Sequence, residues 1–258
     1  MTTLPVLPDD LLRLPVAHRA YHDVERGRPE NSRAAIRAAV AAGYGIEIDL
    51  QLTADGAAMV FHDYDLGRLT GQSGPLRQRS AGEAAAIPLL HGDGETIPRF
   101  EEVLDLVAGR VPLLVELKDQ DGAMGADVGA LEAAAARALS GYAGSVAVMS
   151  FNPHSMAEMA RLLPDLPRGL TTSSYDPADW PLSTATCDRL REIPDFGRVG
   201  AGFISHEAAD LSRPWVRALH ADGVPVLCWT IKSPEAEAVA RKLADNITFE
   251  GYVAEFPA

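Results

Sequence analysis

Residues 44–63 read Tyr-Gly-Ile-Glu-Ile-Asp-Leu-Gln-Leu-Thr-Ala-Asp-Gly-Ala-Ala-Met-Val-Phe-His-Asp, and this stretch decides how the fold is interpreted. In its first half, apolar and polar residues alternate: Ile46, Glu47, Ile48, Asp49, Leu50, Gln51. Successive strand residues point to opposite faces, so the alternation predicts a strand with both carboxylates on one face. A solvated edge strand could have the same pattern. Ala54-Asp55-Gly56 predicts a turn and residues 58–61 a returning strand, and this hairpin would bring His62 beside the carboxylates, which favours a functional site.

Outside this stretch, short apolar runs that predict strands alternate with amphipathic segments that predict helices. Besides the strand in 44–63, strands are expected at 14–17, 111–118, 145–150, 166–171, 199–204, 224–230 and 246–249. Eight strands separated by helices predict a parallel sheet closed into a (β/α)8 TIM barrel. The glycine-rich segment 63–97 is expected to be an insertion after the second strand, and insertions of this length are usually functional. No linker divides the chain, so one domain over residues 1–258 is predicted.

The composition narrows the classes of partner. The chain of 258 residues has a formal net charge of −13, which disfavours nucleic acid and anionic membranes because both require a positive field. No apolar run approaches the ~18 residues of a membrane span. The N-terminal residues lack the basic and apolar regions of a signal peptide, so a cytoplasmic protein without stable membrane association is expected. Cys187 and Cys228 are expected to be buried free thiols.

Charged side chains gather at the predicted C-terminal strand ends, where the active sites of such barrels lie. His18 and Arg19 end the first strand, Glu47 and Asp49 lie on the second, and Glu116 and Lys118 end the third. Three carboxylates this close would repel one another unless a cation is present, and an all-oxygen set suits Ca²⁺ or Mg²⁺ better than Zn²⁺. The alternative is a set of salt bridges between these carboxylates and the two cationic side chains.

The same rim has the groups that cleavage of a phosphate ester needs. His18 and His62 would transfer protons, while Arg19 and Lys118, together with a metal ion, would offset charge on the phosphoryl oxygens. The remaining histidines fit no such constellation and are expected on the surface or in loops: His22, His91, His154, His206 and His220.

With these residues in view, the sequence resembles the glycerophosphodiester phosphodiesterase family, in the superfamily that includes phosphatidylinositol-specific phospholipase C. The resemblance spans residue 16 to about residue 250. It rests on these motifs in order: Ala17-His18-Arg19, Pro29-Glu30-Asn31-Ser32, Ile46-Glu47-Ile48-Asp49, Leu52-Thr53-Ala54-Asp55-Gly56, Val60-Phe61-His62-Asp63, Arg68-Leu69-Thr70-Gly71, Ile97-Pro98, Glu116-Leu117-Lys118 and Trp229-Thr230.

The resemblance implies a TIM barrel that hydrolyses glycerophosphodiesters, small-molecule substrates, to glycerol 3-phosphate and an alcohol with one divalent cation, Ca²⁺ or Mg²⁺. It implies that His18 and His62 are the catalytic acid/base pair and that Glu47, Asp49 and Glu116 hold the metal. It further implies that Arg19 and Lys118 contact the phosphate, and that Asn31 and Trp229 line the glycerol or leaving-group pocket.

Two positions depart from the family pattern. Residue 20 is alanine where the family usually has glycine, and the last strand reads Thr248-Phe249-Glu250 where the family usually has Thr-Asp. Two other functions are compatible with the same barrel. A phospholipase D-like enzyme for lysolipids would need an apolar channel, for which 63–97 offers no long apolar face, and a silent binding homologue would be expected to have lost a histidine or a carboxylate. The alcohol, the choice between Ca²⁺ and Mg²⁺ and the oligomeric state are left open by the sequence.

Overall fold

The computed structural model of the protein describes residues 5–257, so residues 1–4, the start of the N-terminal stretch considered above, and residue 258, the end of the predicted domain, lie outside it. The helices in this range are α1 (Asp9–Arg13), α2 (Arg33–Ala42), α3 (Gly67–Thr70), α4 (Ala81–Ala85), α5 (Phe100–Val107), α6 (Ala130–Leu139), α7 (Pro153–Leu162), α8 (Thr184–Arg191), α9 (Pro214–Ala221) and α10 (Pro234–Ala240). The strands are β1 (Val16–Ala17), β2 (Gly45–Leu52), β3 (Ala58–Val60), β4 (Leu113–Leu117), β5 (Val146–Ser150), β6 (Arg168–Thr172), β7 (Phe203–Glu207), β8 (Val226–Ile231) and β9 (Asn246–Phe249).

Eight of these strands form a closed parallel barrel. The order runs β1-β9-β8-β7-β6-β5-β4-β2, and β1 also pairs with β2, which closes the ring. The remaining strand, β3, pairs antiparallel with β2 outside the ring, as the predicted hairpin requires. The predicted (β/α)8 TIM barrel is therefore confirmed.

Local sequence explains where helix α2 begins and ends, just before strand β2. Helix α2 begins after Ser32, whose hydroxyl accepts a hydrogen bond from the Ala35 amide, and it ends at Gly43. Gly43 has φ +79°, a left-handed conformation that favours glycine and turns the chain into β2. The buried side chains of helix α2 are those of Ala35, Ile36 and Ala39. They pack against the outer face of the barrel, as the helical spacing predicted.

Several elements differ from the sequence prediction. The sixth of the eight predicted strands was expected at 199–204, but the structure has it at Phe203–Glu207, as β7. Val199 and Ala201 account for the difference. Both are apolar because they are buried in the core, but they lie in the segment before the strand. Helix α1 was not predicted, because five residues are too few to show a helical period.

The interior of the barrel is layered. An apolar layer near the N-terminal ends of the strands contains Val16, Leu114, Ala147, Phe203 and Leu227, and Leu7 and Leu11 pack against it. Positions two residues further along the same strands point to the same face, so the next layer contains His18, Glu116 and Trp229. The candidate site residues therefore lie at the C-terminal ends of the strands, where this fold places its active sites.

The insertion 63–97 has a hydrophobic core of its own. This core contains Met59, Phe61, Leu66, Leu76, Ala81, Ala84, Ile87, Leu89 and Ile97. Its apolar side chains pack against one another and against β3, so the insertion is a compact structure beside β2. Within residues 5–257, no helix combines the length and the apolar character needed to cross a bilayer.

Candidate active site

Three buried carboxylates form the centre of the site. Glu47 and Asp49 lie on β2 and Glu116 on β4, and a carboxylate oxygen from each lies within 4.8 Å of the others. Strand geometry explains the cluster: Glu47 and Asp49 share one face of β2, and Asp49 is in register with Glu116. The alternation in residues 44–63 thus places both β2 carboxylates inside the barrel.

The cluster carries an excess of negative charge. Burial, Asp49 and Glu116 raise the pKa of Glu47 well above its ordinary value. Burial opposes ionisation of Asp49 as well, but Lys118, His62 and Arg19 lower its pKa. Lys118 Nζ lies 2.8 Å from Asp49 Oδ1 and 2.6 Å from Glu116 Oε1. One lysine therefore offsets only part of the charge, and this all-oxygen set could bind a hard divalent cation.

Each of the two histidines is held by a carboxylate. His18 Nδ1 lies 2.6 Å from Glu250 Oε2, and His62 Nδ1 lies 2.7 Å from Asp63 Oδ1. Both rings line the same pocket as the carboxylate cluster. Burial lowers the pKa of His18 even though its hydrogen bond to Glu250 favours the charged form. With Nδ1 bound to a carboxylate, Nε2 of each ring is left for proton transfer.

The loop after β1 takes a left-handed backbone conformation that shapes the site. Arg19, Ala20 and Asn31 have φ of 50°, 65° and 58°. The Arg19 amide donates to Glu47 Oε2 (2.8 Å) and its guanidinium to Glu30 Oε1 (2.9 Å). The positive φ at residue 20 gives the family glycine a physical reason, since glycine adopts this region without a steric penalty. Ala20 adopts this left-handed conformation although it has a Cβ, and its side chain is buried.

Asn31 and Trp229 lie on different sides of the cluster. The Asn31 amide donates to Asp49 Oδ2 (2.9 Å), so this side chain lies behind the acidic cluster and contacts it directly. Trp229 lines the pocket, where its Nε1 donates to the Ser205 carbonyl (3.0 Å). Its ring packs against Phe151 at 5.5 Å and 85°.

The pocket is a cavity of ≈ 100 Å³ with a charged side and a neutral side. It is lined by every predicted site residue except Asn31, together with Met149, Phe151, Thr171, Thr230 and Thr248. The charged side chains come from β2 and β4 and from the segments after β1, β3 and β4. The aromatic and hydroxyl groups come from β6, β8 and β9 and from the segment after β5. The Thr171 and Thr248 hydroxyls are buried and have no hydrogen-bond partner among the described residues.

Several contacting residues were not predicted from the sequence. Glu30 and Asp63 belong to the quoted motifs, but nothing in their spacing assigned them a partner, and Glu250 was noted only as a departure from the family pattern. Phe151 gave no signal. The expectation that His206 lies on the surface or in a loop is wrong: it is buried on β7, with Nδ1 2.8 Å from Thr172 Oγ1. Its side chain packs outside the barrel beside Thr172, away from the pocket.

The protein belongs to the class of (β/α)8 barrels that have an acidic cluster and carboxylate-bound histidines at the C-terminal ends of their strands. Residues 18–248 match the model of the glycerophosphoryl diester phosphodiesterase family. The chain therefore belongs to this family and is a phosphoric diester hydrolase.

Individual relatives agree with this assignment. The chain is 26% identical over 250 residues, 94% of both chains, to the Bacillus subtilis protein YhdW, whose name places it provisionally among the glycerophosphodiester phosphodiesterases. It is 31% identical over 165 residues, 61% of this chain and 65% of the relative, to a glycerophosphodiester phosphodiesterase of Caldanaerobacter subterraneus. Its fold is similar to that of an Oleispira antarctica phosphodiesterase solved with sn-glycerol-3-phosphate, with a TM-score of 0.72, 24% identity and coverage of 92% and 93% of the two chains.

Proposed function

We propose that the protein hydrolyses glycerophosphodiesters to glycerol 3-phosphate and an alcohol, with a divalent cation as cofactor and with His18 and His62 as the acid/base pair. One observation carries this proposal: two carboxylate-bound histidines and three clustered carboxylates line a single pocket. The family supports the substrate class, and the solved relative with bound sn-glycerol-3-phosphate is consistent with it.

The carboxylates of Glu47, Asp49 and Glu116 would hold the cation, Ca²⁺ or Mg²⁺. The cluster geometry supports this assignment, and the pKa of Glu47 agrees with it: burial raises this pKa first, and the nearby Asp49 and Glu116 raise it further. When bound, the cation would neutralise charge near the phosphoryl oxygens and acidify a nearby hydroxyl. Asn31 would act through Asp49, whose carboxylate it fixes with a 2.9 Å hydrogen bond.

The two histidines would exchange roles in two steps. In the first step, one imidazole takes a proton from the glycerol hydroxyl on the carbon next to the one that carries the phosphate ester. The oxygen of this hydroxyl then attacks phosphorus. The P–O bond to the alcohol breaks, the second imidazole protonates the departing oxygen, and a five-membered cyclic phosphate remains. In the second step water opens the ring with the roles reversed. The carboxylates on both Nδ1 atoms support this scheme, since they orient each ring and leave Nε2 for proton transfer.

The two sides of the pocket would divide substrate recognition. Arg19 and Lys118 would contact the phosphate, for which a guanidinium fixed by Glu30 is well oriented. Trp229 and the unpaired hydroxyls of Thr171 and Thr248 would face the glycerol or the leaving alcohol. Lysolipid cleavage is less well supported, because most apolar side chains of 63–97 are buried in a hydrophobic core and do not line the pocket.

Product release from a substrate panel tests the proposal. Glycerophosphodiesters with different alcohols, and a lysophospholipid, are incubated with the protein, and glycerol 3-phosphate is detected by coupled phosphatase. We expect release from at least one glycerophosphodiester and its loss after chelation. A folded protein that releases nothing from the whole panel would contradict the function, and preferential cleavage of the lysophospholipid would favour the alternative. The single domain over 1–258 and the cytoplasmic location without stable membrane association stay predictions.

A further inference from the structure

Arg68, on α3 of the insertion 63–97, contacts two carboxylates that belong to different parts of the rim. Its Nε and Nη2 lie 2.7 Å from Asp63 Oδ2 and 2.8 Å from Asp63 Oδ1. Its Nη1 and Nη2 lie 2.7 Å from Glu30 Oε2 and 2.8 Å from Glu30 Oε1. The guanidinium therefore makes two bidentate pairs, which use four of its five N–H donors.

Each of these carboxylates also binds a residue of the candidate site. Asp63 Oδ1 lies 2.7 Å from His62 Nδ1, and Glu30 Oε1 accepts from Arg19 Nη1 at 2.9 Å. A continuous series of hydrogen bonds thus joins the proposed acid/base His62 to the proposed phosphate ligand Arg19, and Arg68 is its central member.

Stability alone does not account for this arrangement. The Arg68 side chain is 48% exposed, and ion pairs of exposed side chains contribute little to folding. The side chains of Asp63 and Glu30 are less exposed, with exposed fractions of 21% and 11%. Both accept from the same Arg68 Nη2 atom, so without the guanidinium two close carboxylates would face one another and repel. Each would then turn away, and His62 and Arg19 would lose their orientation.

We propose that Arg68 is a positioning residue that fixes His62 and Arg19 relative to each other, so that the insertion completes the active site. This inference rests on the proposed function, since it takes these two side chains as acid/base and phosphate ligand. A displacement of about 1 Å in a reacting group can cost on the order of 10² in rate, so a residue that touches no substrate can still control turnover.

The two pairs predict a separable kinetic effect. Asp63→Asn should act mainly on kcat, because it loosens His62, and Glu30→Gln mainly on KM, because it loosens Arg19. Arg68→Met should change both and lower kcat/KM by about 10²-fold. Arg68→Lys keeps the charge but cannot pair bidentately with two carboxylates, so it should recover only part of the loss. Adding Arg68→Met to Asp63→Asn should cost less than it costs in the wild type, because the two residues act together.

The matched control is Arg161→Met. Arg161 binds both oxygens of Glu158 on α7 and its side chain is 67% exposed, so this change removes a comparable ion pair outside the pocket lining. Arg161→Met and Arg68→Met should shift the melting temperature by similar small amounts, while only Arg68→Met changes the kinetic constants. Kinetic constants within twofold of wild type for a folded Arg68→Met protein would overturn the proposal. If that variant does not fold, Arg68→Lys decides by the same criterion.

A second measurement does not depend on activity. Ring ¹⁵N NMR can identify the tautomer of the neutral His62 imidazole. It should show the proton on Nδ1 in the wild type and a mixture of the two tautomers in Arg68→Met. An unchanged tautomer would overturn the positioning role. If the wild type cleaves no glycerophosphodiester, the proposed function fails, whereas the NMR comparison still decides whether Arg68 orients His62.

Discussion

Glu250 Oε2 lies 2.6 Å from His18 Nδ1, although the two residues are 232 positions apart in the chain. The closure of the barrel explains the contact, because β9 pairs with β1 and both strands end at the same rim. Lys232 Nζ contacts the other Glu250 oxygen at 2.8 Å, and the hydrogen bond of His18 is the main cause that lowers the pKa of Glu250. This carboxylate is thus ionised and orients His18.

Replacing Glu250 should move the pH dependence of catalysis. The Glu250 hydrogen bond raises the pKa of His18, while burial lowers it by more. In Glu250→Gln the raising contribution is lost, so the imidazole should stay neutral to lower pH and the acid limb of kcat/KM should shift downwards. We also expect kcat/KM to fall at least about 10-fold, part of the 10²–10⁴ that acid–base catalysis contributes. Lys232→Gln, which removes an exposed partner of Glu250, is the control. An acid limb that stays in place or moves up would contradict the role of Glu250.

Loss of either histidine should abolish most turnover. His18→Ala and His62→Ala should each lower kcat by about 10²–10⁴ and leave the fold intact, since both rings lie at the pocket rather than in the apolar core. The double variant should be little worse than either single one, because the two groups act as a unit. His220→Ala, at a partly exposed ring beside Asp245, is the control. Strictly additive losses would indicate that only one histidine transfers a proton.

The acidic cluster predicts dependence on a divalent cation. Exhaustive chelation should remove activity, Ca²⁺ or Mg²⁺ should restore it, and either ion should raise the melting temperature. At 100 times its Kd an ion adds about 2.7 kcal/mol to the free energy of unfolding. Glu116→Gln should weaken ion binding, measured by calorimetry. The control is Glu132→Gln, a buried carboxylate on α6 bonded to Ser155, which should lower stability without changing ion affinity. Full activity after chelation would disprove the metal assignment.

The hydroxyl of Thr171 offers a test of substrate recognition. It is buried without a partner among the described residues, and a buried unpaired hydroxyl costs about 1–3 kcal/mol. Thr171→Val should therefore leave stability unchanged or raised, while KM for glycerophosphodiesters increases. Its neighbour Thr172 bonds His206 at 2.8 Å outside the pocket, so Thr172→Val should show the reverse, lower stability with KM unchanged. An unaltered KM in Thr171→Val would remove this hydroxyl from the binding site.

The cyclic route predicts which substrates react. A phosphodiester with a propane-1,3-diol unit in place of glycerol lacks the hydroxyl on the carbon next to the ester carbon, so it cannot close a five-membered ring. We expect it to inhibit competitively and not to be cleaved. Its inhibition constant and turnover are measured beside those of the glycerol compound. Turnover at a comparable rate would show that water attacks phosphorus directly and that the two-step scheme is wrong.

Local sequence was enough to predict the barrel and the candidate residues that meet at its rim. Two features were sufficient: the period-two alternation around Glu47 and Asp49, and the succession of strands that end in His18 and Glu116. Consecutive parallel strands are neighbours, so residues at their C-terminal ends must meet at one rim. Strand periodicity also fixes which side chains face inwards. Both are properties of local sequence, and for that reason they could be predicted.

Only the tertiary structure decided which partners these residues have. The contact between His18 and Glu250 depends on closure of the barrel, and Arg68 meets Glu30 and Asp63 because the insertion folds back on its own core. Asn31 reaches Asp49 through a left-handed backbone conformation that its sequence motif does not specify. A hydrogen bond between distant residues depends on the relative placement of several elements to within a few tenths of an ångström, and no local pattern of polarity encodes that placement.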